Sequence, residues 1–233
     1  MPPLPVLPQP LSRRGLILAA LAAGCGRRAG EPLTSFIPEA AAAVAFADLN
    51  RLRATPLFAR LPVPDALRDA AAVLAVFDGR DWAVAAGGDF RELPAGAQRI
   101  APRVVAFGGP ELVRAMATRP RGGGDLLAHA PSDAPAWLVT RGGVSLPLAG
   151  NLANLNRLLQ QAEYTTIGLR PAAKIGLDAT ALCATAERAQ HLEENVRALV
   201  SLARFEGIDL SREGSTVRVR AAIALDALPR IAP

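Results

Sequence analysis

The sequence has few aromatic residues, cysteines, histidines and lysines. Of its 233 residues, 4% are aromatic, two are cysteines and two are histidines. Two cysteines cannot form the set of disulfides that small secreted domains use in place of a large core. Two histidines are too few for a histidine-based metal cluster unless carboxylates complete it. The scarcity of aromatic side chains argues against a nucleic-acid surface, in which basic residues alternate with stacking rings.

Aliphatic and basic residues are abundant. Hydrophobic residues make up 51% of the chain, which is typical of a globular protein, and the length suits one large or two small domains. The formal net charge is +5, and Lys174 is the only lysine, so arginine carries almost all of the positive charge. A GC-rich genome produces this arginine bias without any selection for binding. The basic composition therefore does not by itself indicate a nucleic-acid partner.

The first 25 residues are organised like an export signal. A proline-rich segment that ends in Arg13 and Arg14 precedes a run of ten apolar or small residues, 15–24, and then Cys25. Ten helical residues cover ~15 Å, about half of the ~30 Å hydrocarbon core, so the run is too short to span a membrane by itself. The pattern predicts a signal peptide over residues 1–24 rather than a membrane helix.

Two motifs in this leader resemble known export motifs. Residues 22–25, Ala-Ala-Gly-Cys, resemble the lipobox of bacterial lipoproteins, which implies that Cys25 becomes lipid-modified and N-terminal after cleavage. Residues 12–18 are similar to the twin-arginine export motif, which implies that Arg13 and Arg14 direct export. The alternative is an ordinary cleaved signal with an incidental cysteine.

The second cysteine fits the interpretation of a lipid anchor. If Cys25 carries lipid, Cys183 has no partner for a disulfide. Cys183 ends an apolar run and is predicted to be a small core residue. A disulfide between Cys25 and Cys183 is the alternative.

The rest of the chain predicts an α+β fold. After an anchored linker over residues 25–38, we expect two packed halves with mainly antiparallel sheet, residues 39–130 and 131–233. The second half has the element order β-α-β-β-α-β-β, a ferredoxin-like order with one additional strand. A short similarity between residues 45–55 and 106–118 suggests an internal duplication.

Several local elements are predicted from periodicity and capping residues. In the first half these are a helix over 50–61 with Asp48 as its N-cap, a helix over 65–72, and a hairpin over 73–86 with Asp78-Gly79 as a two-residue turn. Thr185 is predicted to cap a helix that ends at Arg204 and lies across a hairpin over 164–183.

His191 lies on that last helix. Glu187 and Glu194 are spaced so that all three side chains can share one helix face, which makes a metal site conceivable. The apolar stripe of the helix, which includes Leu192 and Val196, lies on the other face. A solvated helix face is therefore the preferred interpretation, and no metal site is predicted.

His129 lies in a loop with possible catalytic neighbours. Asp125, Ser132 and Asp133 are close to it in sequence, and the set nominally contains a base, an acid and a nucleophile. Closeness in sequence does not make a triad, and the chain lacks a G-x-S-x-G motif. Gly108-Gly109 follows a strand and opens a helix, but the phosphate-binding patterns are absent and a tight turn explains the pair. No catalytic residue is assigned.

The sequence therefore predicts an exported, lipid-anchored envelope protein with a non-enzymatic binding or structural role. It would face the periplasm or the cell surface and contact the membrane through a lipid on Cys25. We expect an unknown protein or small-molecule ligand as partner, and no cofactor, metal or nucleic acid. The alternative is an exported hydrolase that uses His129 with Asp125 or Asp133.

Overall fold

A single antiparallel sheet contains all ten strands of the described chain. The computed structural model describes residues 32–61, 63–118, 124–146, 153–203 and 207–225. The strands are β1 (Ala43–Asp48), β2 (Ala70–Phe77), β3 (Trp82–Gly88), β4 (Gln98–Ala101), β5 (Val104–Gly108), β6 (Ala136–Arg141), β7 (Tyr164–Pro171), β8 (Lys174–Leu182), β9 (Ile208–Glu213) and β10 (Thr216–Ala224). Their order in the sheet is β4-β5-β3-β2-β1-β6-β7-β8-β10-β9. The α+β class and the mainly antiparallel sheet are thus as predicted.

The described residues also form five α-helices and three short 3-10 turns. The helices are α1 (Leu49–Arg53), α2 (Pro110–Ala117), α3 (Gly124–Ala128), α4 (Ala153–Leu159) and α5 (Ala186–Ala203). The 3-10 turns are Leu33–Phe36, Phe58–Arg60 and Asp65–Leu67. Among the described residues, no helix combines the length and the apolar character that a membrane span requires.

The topology of the sheet repeats itself. Outward from the centre, one half runs β1-β2-β3-β5-β4 and the other runs β6-β7-β8-β10-β9. Strands β1 and β6 are antiparallel neighbours at the centre of the sheet. A two-fold axis perpendicular to the sheet and between these two strands therefore relates the strand order of one half to that of the other. The sequence similarity that suggested a duplication aligns β1 with β5, whereas the equivalent of β1 in this repeat is β6.

The ferredoxin-like arrangement predicted for the second half is not confirmed. The predicted order of elements is present, but β6 and β7 are direct antiparallel neighbours. A split β-α-β unit would place them parallel with another strand between them. The difference arises because the chain returns over α4 on the same end of the sheet where β6 ended, which brings β7 back beside it in the opposite direction.

Two predicted helices in the first half are wrong in extent. The helix expected over 50–61 ends at Arg53, since Thr55 turns its hydroxyl back onto the carbonyl of Leu52 and Pro56 disfavours helical geometry in the residue before it. The helix expected over 65–72 is a single 3-10 turn. Its last residues instead join β2, which pairs with β1 on one side and with β3 on the other.

The predicted hairpin over 73–86 is present as β2 and β3, but its turn is longer than expected. Phe77 pairs with Trp82, so the loop has four residues rather than two. The carboxylate of Asp78 accepts hydrogen bonds from the backbone N–H groups of Arg80 and Asp81, both at 2.8 Å. This Asx turn gives the N–H groups of Arg80 and Asp81 a hydrogen-bond acceptor. In a two-residue turn these residues would instead pair within the β2–β3 hairpin.

The sheet has two differently covered faces. The α2 face carries Val44 and Trp137, and it packs against α2 and the 3-10 turn Leu33–Phe36. The α5 face carries Ala45 and Leu138 on the same strands. Helix α5 covers this second face over β9 and β10. Both apolar clusters include the central strands, and the core therefore lies on either side of the β1–β6 pair.

Helix α5 begins where the sequence predicts but packs elsewhere. Thr185 accepts a hydrogen bond from the N–H of Arg188 at 3.2 Å, which confirms the predicted cap. Leu192 is buried with Val217 of β10. Leu199 is 38% exposed, although the predicted buried stripe comprises Ala189, Leu192, Val196, Leu199 and Ala203. The helix therefore packs mainly on the β9–β10 hairpin and contacts the β7–β8 hairpin only at its end, near Ala181 and Cys183.

Candidate functional site

Two groups of charged side chains lie at opposite ends of the central β1–β6 pair. Asp48 ends β1, and its N–H donates to the carbonyl of Pro135 at 3.0 Å. Arg141 ends β6, and its N–H donates to the carbonyl of Ala42 at 2.9 Å. The two-fold relation of the halves converts one hydrogen bond into the other. Both side chains lie on the α2 face, since they continue the alternation of Val44 and Trp137.

The group at the Arg141 end, which we call the His129 cluster, consists of Asp125, His129, Arg141 and Tyr164. Asp125 Oδ2 lies 2.7 Å from Nη2 of Arg141 and accepts a hydrogen bond from the Tyr164 hydroxyl at 3.4 Å. The rings of His129 and Tyr164 stack with their centroids 4.2 Å apart. Partial desolvation raises the pKa of Asp125, but the backbone N–H of Leu126 and the guanidinium of Arg141 outweigh it and hold the pKa below its usual value.

The predicted catalytic neighbours of His129 are not assembled into a hydrolase constellation. Thr166 is the hydroxyl that contacts His129, and it donates to the backbone carbonyl of that residue at 3.1 Å rather than to the imidazole. Asp133 is paired with Arg170 on β7 instead. Within the described residues, no hydroxyl is hydrogen-bonded to the imidazole, and a nucleophile and its base are therefore not paired here.

Asp48, at the other end of the β1–β6 pair, is completely buried. Its Oδ1 accepts a hydrogen bond from the N–H of Arg51 at 2.7 Å, which confirms Asp48 as the N-cap of a helix. Its Oδ2 is enclosed and has no hydrogen-bond partner among the described residues. Desolvation by burial raises the pKa of Asp48 from 3.8 to about 6, although Arg51 opposes this shift. Sequence reasoning identified the cap but gave no sign that the carboxyl would be buried.

Charged side chains continue from Asp48 across the α2 face. Arg51 donates from Nη2 to the carbonyl of Asp133 at 3.2 Å, and the Asp133 carboxylate is held by Arg170 at 2.8 Å. Arg170 also contacts Asp178 on β8, which lies 3.4 Å from Nε of Arg220 on β10. The hydrogen bond from Arg170 lowers the pKa of Asp133. These partly exposed contacts join α1, the loop before β6 and the three strands β7, β8 and β10.

The surface of α5 around His191 is solvated, as expected. The His191 side chain is 65% exposed, with Nδ1 3.6 Å from Oε2 of Glu194. The part of the chain that the structure describes contains no cluster of three or more His, Cys, Asp or Glu side chains suited to a metal. Glu193 instead pairs with Arg197 at 2.6 Å and with Arg212 of β9 at 2.9 Å. These charges attach the helix to the sheet.

The Gly108-Gly109 pair serves a close packing contact. Gly108 has φ of +128°, and a Cβ there would lie 2.3 Å from the carbonyl oxygen of Trp82. Gly109 donates its N–H to the same oxygen at 2.8 Å, and a Cβ at this residue would lie 2.9 Å from Asp81 Cβ. The acidic side chain of Asp81 at the start of α2 disfavours a phosphate there. The turn interpretation therefore explains the pair.

Cys183 is a core residue. It is 2% exposed, carries a free thiol, and packs with Ala189 and Leu192 beneath α5. Burial raises the pKa of this thiol. Cys25, together with Arg13 and Arg14, lies outside the described residues, so the lipobox and the twin-arginine motif stay predictions.

Comparison of the chain with protein-family models, with curated proteins and with solved structures finds no match. No residue role is therefore transferred from another protein.

Proposed function

We propose that the protein is an exported, lipid-anchored envelope protein with a non-enzymatic binding or structural role. The leader with Arg13, Arg14 and Cys25 supports export and anchoring. The sheet would then lie close to the membrane. Pro32, where the described chain begins, follows Cys25 by a span of at most ~25 Å of fully extended chain.

The observation that carries the non-enzymatic role is the pairing of the candidate acids. Asp125 is bound by Arg141 and Asp133 by Arg170, at 2.7 and 2.8 Å respectively. A general base must be free to take a proton from a hydroxyl or a water within hydrogen-bonding distance. Both carboxylates are stabilised as ions by arginine instead, and the imidazole of His129 is stacked on a ring. These contacts support packing of α3 and the loop before β6 onto the sheet.

Anchoring is tested by replacing the cysteine of the lipobox. Cys25→Ser should move the protein from the membrane fraction to the soluble fraction, because the lipid has no other attachment site in the motif. Globomycin, which blocks cleavage of lipoprotein precursors, should make the uncleaved precursor of the unchanged chain accumulate. Cys183→Ser is the matched control and should stay in the membrane fraction. An unchanged distribution of Cys25→Ser contradicts the anchor.

The export route is tested separately. Replacement of both Arg13 and Arg14 by lysine keeps the positive charge but removes the arginine pair. If the twin-arginine route is used, the doubly substituted precursor should accumulate inside the cell. Normal export of this variant would assign the protein to the route for unfolded chains, without affecting the proposed anchor at Cys25.

The role of the body is tested by a pull-down with residues 25–233 and by assays with ester, amide and phosphoester substrates. The proposal expects retention of a protein or small-molecule partner and no turnover. Turnover that is lost in His129→Ala, while His191→Ala keeps it, would establish the hydrolase alternative. The His191 variant is a suitable control because that imidazole is solvent-exposed and its helix packs on the other face of the sheet from the His129 cluster.

A further inference from the structure

Asp48 combines complete burial with an unsatisfied oxygen. The side chain is 0% exposed, Oδ1 is used to cap α1, and Oδ2 has no partner among the described residues. A carboxylate that is buried with one bare oxygen is costly when ionised, whereas the neutral acid is tolerated. The protonation state of this one group therefore affects whatever Asp48 holds in place.

The charges around Asp48 do not neutralise it. Arg51 faces it from α1, but its guanidinium is bound to the carbonyl of Asp133 at 3.2 Å. The Asp133 carboxylate forms an ion pair with Arg170 of β7. From β2, the cross-strand neighbour of Asp48 is the uncharged Ala72. The pKa of Asp48 is accordingly raised to about 6 despite the nearby arginine.

Asp48 holds the start of a segment that bridges the two halves. Residues 49–61 follow it directly, and the segment is fastened at its first turn by the Asp48 cap and by two buried leucines, Leu49 and Leu52. At its far end, Nη1 of Arg60 donates to the carbonyl of Leu225 at 2.5 Å, immediately after β10. The segment therefore connects the end of β1, at the centre of the sheet, to the end of β10 in the other half.

We propose that Asp48 makes residues 49–61 an acid-responsive latch between the two halves: the protonated side chain holds the segment on the sheet, and its ionisation loosens the segment and weakens the contact between Arg60 and Leu225. This inference goes beyond the binding role proposed above and is independent of the lipid anchor. Three observations support the inference: the cap at Oδ1 of Asp48, the buried Oδ2 without a hydrogen-bond partner among the described residues, and the contact between Arg60 and Leu225.

The direction and range of the response follow from proton linkage. The closed segment buries Asp48, whose pKa there is about 6, and an opened segment would return it towards 3.8. The ratio of closed to open molecules then falls by up to tenfold for each pH unit between about 4 and 6, to a limit of about 100-fold. Above and below this interval, Asp48 adds no further pH dependence.

Hydrogen exchange of the purified full chain tests the latch. After correction for intrinsic exchange rates, protection of amides in residues 49–61 should fall by about 10- to 100-fold between pH 4 and 7. Asp48→Asn keeps a capping oxygen and removes the ionisation, so its protection should not vary with pH in this interval. Asp65→Asn, which removes an exposed carboxyl in the next turn, is the matched control and should behave as the unchanged chain does.

Two further measurements separate the latch from a general loss of structure. Arg60→Gln should increase exchange at the far end of the segment at every pH while leaving the response to Asp48 intact. Carbon NMR of the unsubstituted chain should show the Asp48 carboxyl titrating near pH 6, which holds even if Asp48→Asn does not fold. A midpoint near 4, a flat profile in the unsubstituted chain, or an unchanged profile in Asp48→Asn would each overturn the proposal.

Discussion

Asp48 and Arg141 are equivalent residues of the two halves, and each donates its backbone N–H between the two central strands. Asp48 donates to the carbonyl of Pro135, and Arg141 donates to the carbonyl of Ala42. Each also encloses one polar atom that has no partner among the described residues, Oδ2 in Asp48 and Nε in Arg141. One end of the central strand pair thus holds a buried carboxyl group, and the other end holds a positively charged arginine. Arg141 has a carboxylate partner in Asp125, whereas Asp48 has only its cap.

The first prediction concerns stability against pH. Because the pKa of Asp48 is higher in the folded chain, at about 6, than its ordinary 3.8, the stability that protonated Asp48 contributes is fully present below about pH 4 and is lost as the pH rises through 6. At about 1.4 kcal/mol per pKa unit, ionisation costs up to about 3 kcal/mol. Urea unfolding should therefore find Asp48→Asn more stable than the unchanged chain at pH 7.5, by about 1–3 kcal/mol, and similar to it at pH 3.5. Lower stability of Asp48→Asn at pH 7.5 would contradict this assignment.

The second prediction concerns the contact of α5 with the sheet. Leu192 is 2% exposed and Leu199 is 38% exposed, although both belong to the predicted apolar stripe. Leu192→Asp should destabilise the fold by about 3–5 kcal/mol, since it buries an unpaired carboxylate among apolar side chains. Leu199→Asp and His191→Ala should each cost less than about 1 kcal/mol. Thermal unfolding monitored by circular dichroism distinguishes these outcomes, and a larger effect of the histidine substitution would mean that the helix packs on its other face.

The third prediction concerns the glycine that begins the turn into α2. Gly108→Ala should destabilise by at least about 2 kcal/mol, because φ is +128° and the new Cβ would lie 2.3 Å from the Trp82 carbonyl oxygen. Gly124→Ala is the matched control, since its added Cβ has no atom within 4 Å among the described residues beyond its chain neighbours and its own helix backbone. Chemical denaturation of both variants gives the comparison. Equal effects would show that the close approach of β3 to Gly108 is not maintained in solution.

The fourth prediction concerns the thiol of Cys183. This side chain is 2% exposed and burial raises its pKa, so both access and thiolate formation are suppressed. Labelling of Cys25→Ser with a thiol reagent should be slow in the native state and rapid in denaturant. Rapid native labelling would show that α5 does not cover the thiol. In the Cys183→Ser variant the only cysteine is Cys25. If Cys25 carries lipid, the thiol reagent should not label this variant even in denaturant.

The residues of the candidate site could be predicted only in part. Sequence proximity drew attention to His129, Asp125 and Asp133, and the two acids are indeed charged groups with specific partners. Those partners, Arg141 and Arg170, lie on β6 and β7 and cannot be inferred from spacing, because an ion pair between a strand and a helix or loop depends on how the sheet is assembled. For Asp48 the sequence supplied the capping role, since a cap is a local interaction within one helical turn.

The sequence by itself determined the local elements of this protein: most of the strands, the caps at Asp48 and Thr185, the buried start of α5 and the order of elements in the second half. Tertiary structure decided which strands pair, where α5 packs, that residues from Ala70 extend β2 instead of a helix, and that Asp48 is enclosed. Alternating side chains specify that a strand has two faces, but not which strand lies beside it. Pairing and burial depend on contacts between residues far apart in the chain, and only the assembled sheet supplies those contacts.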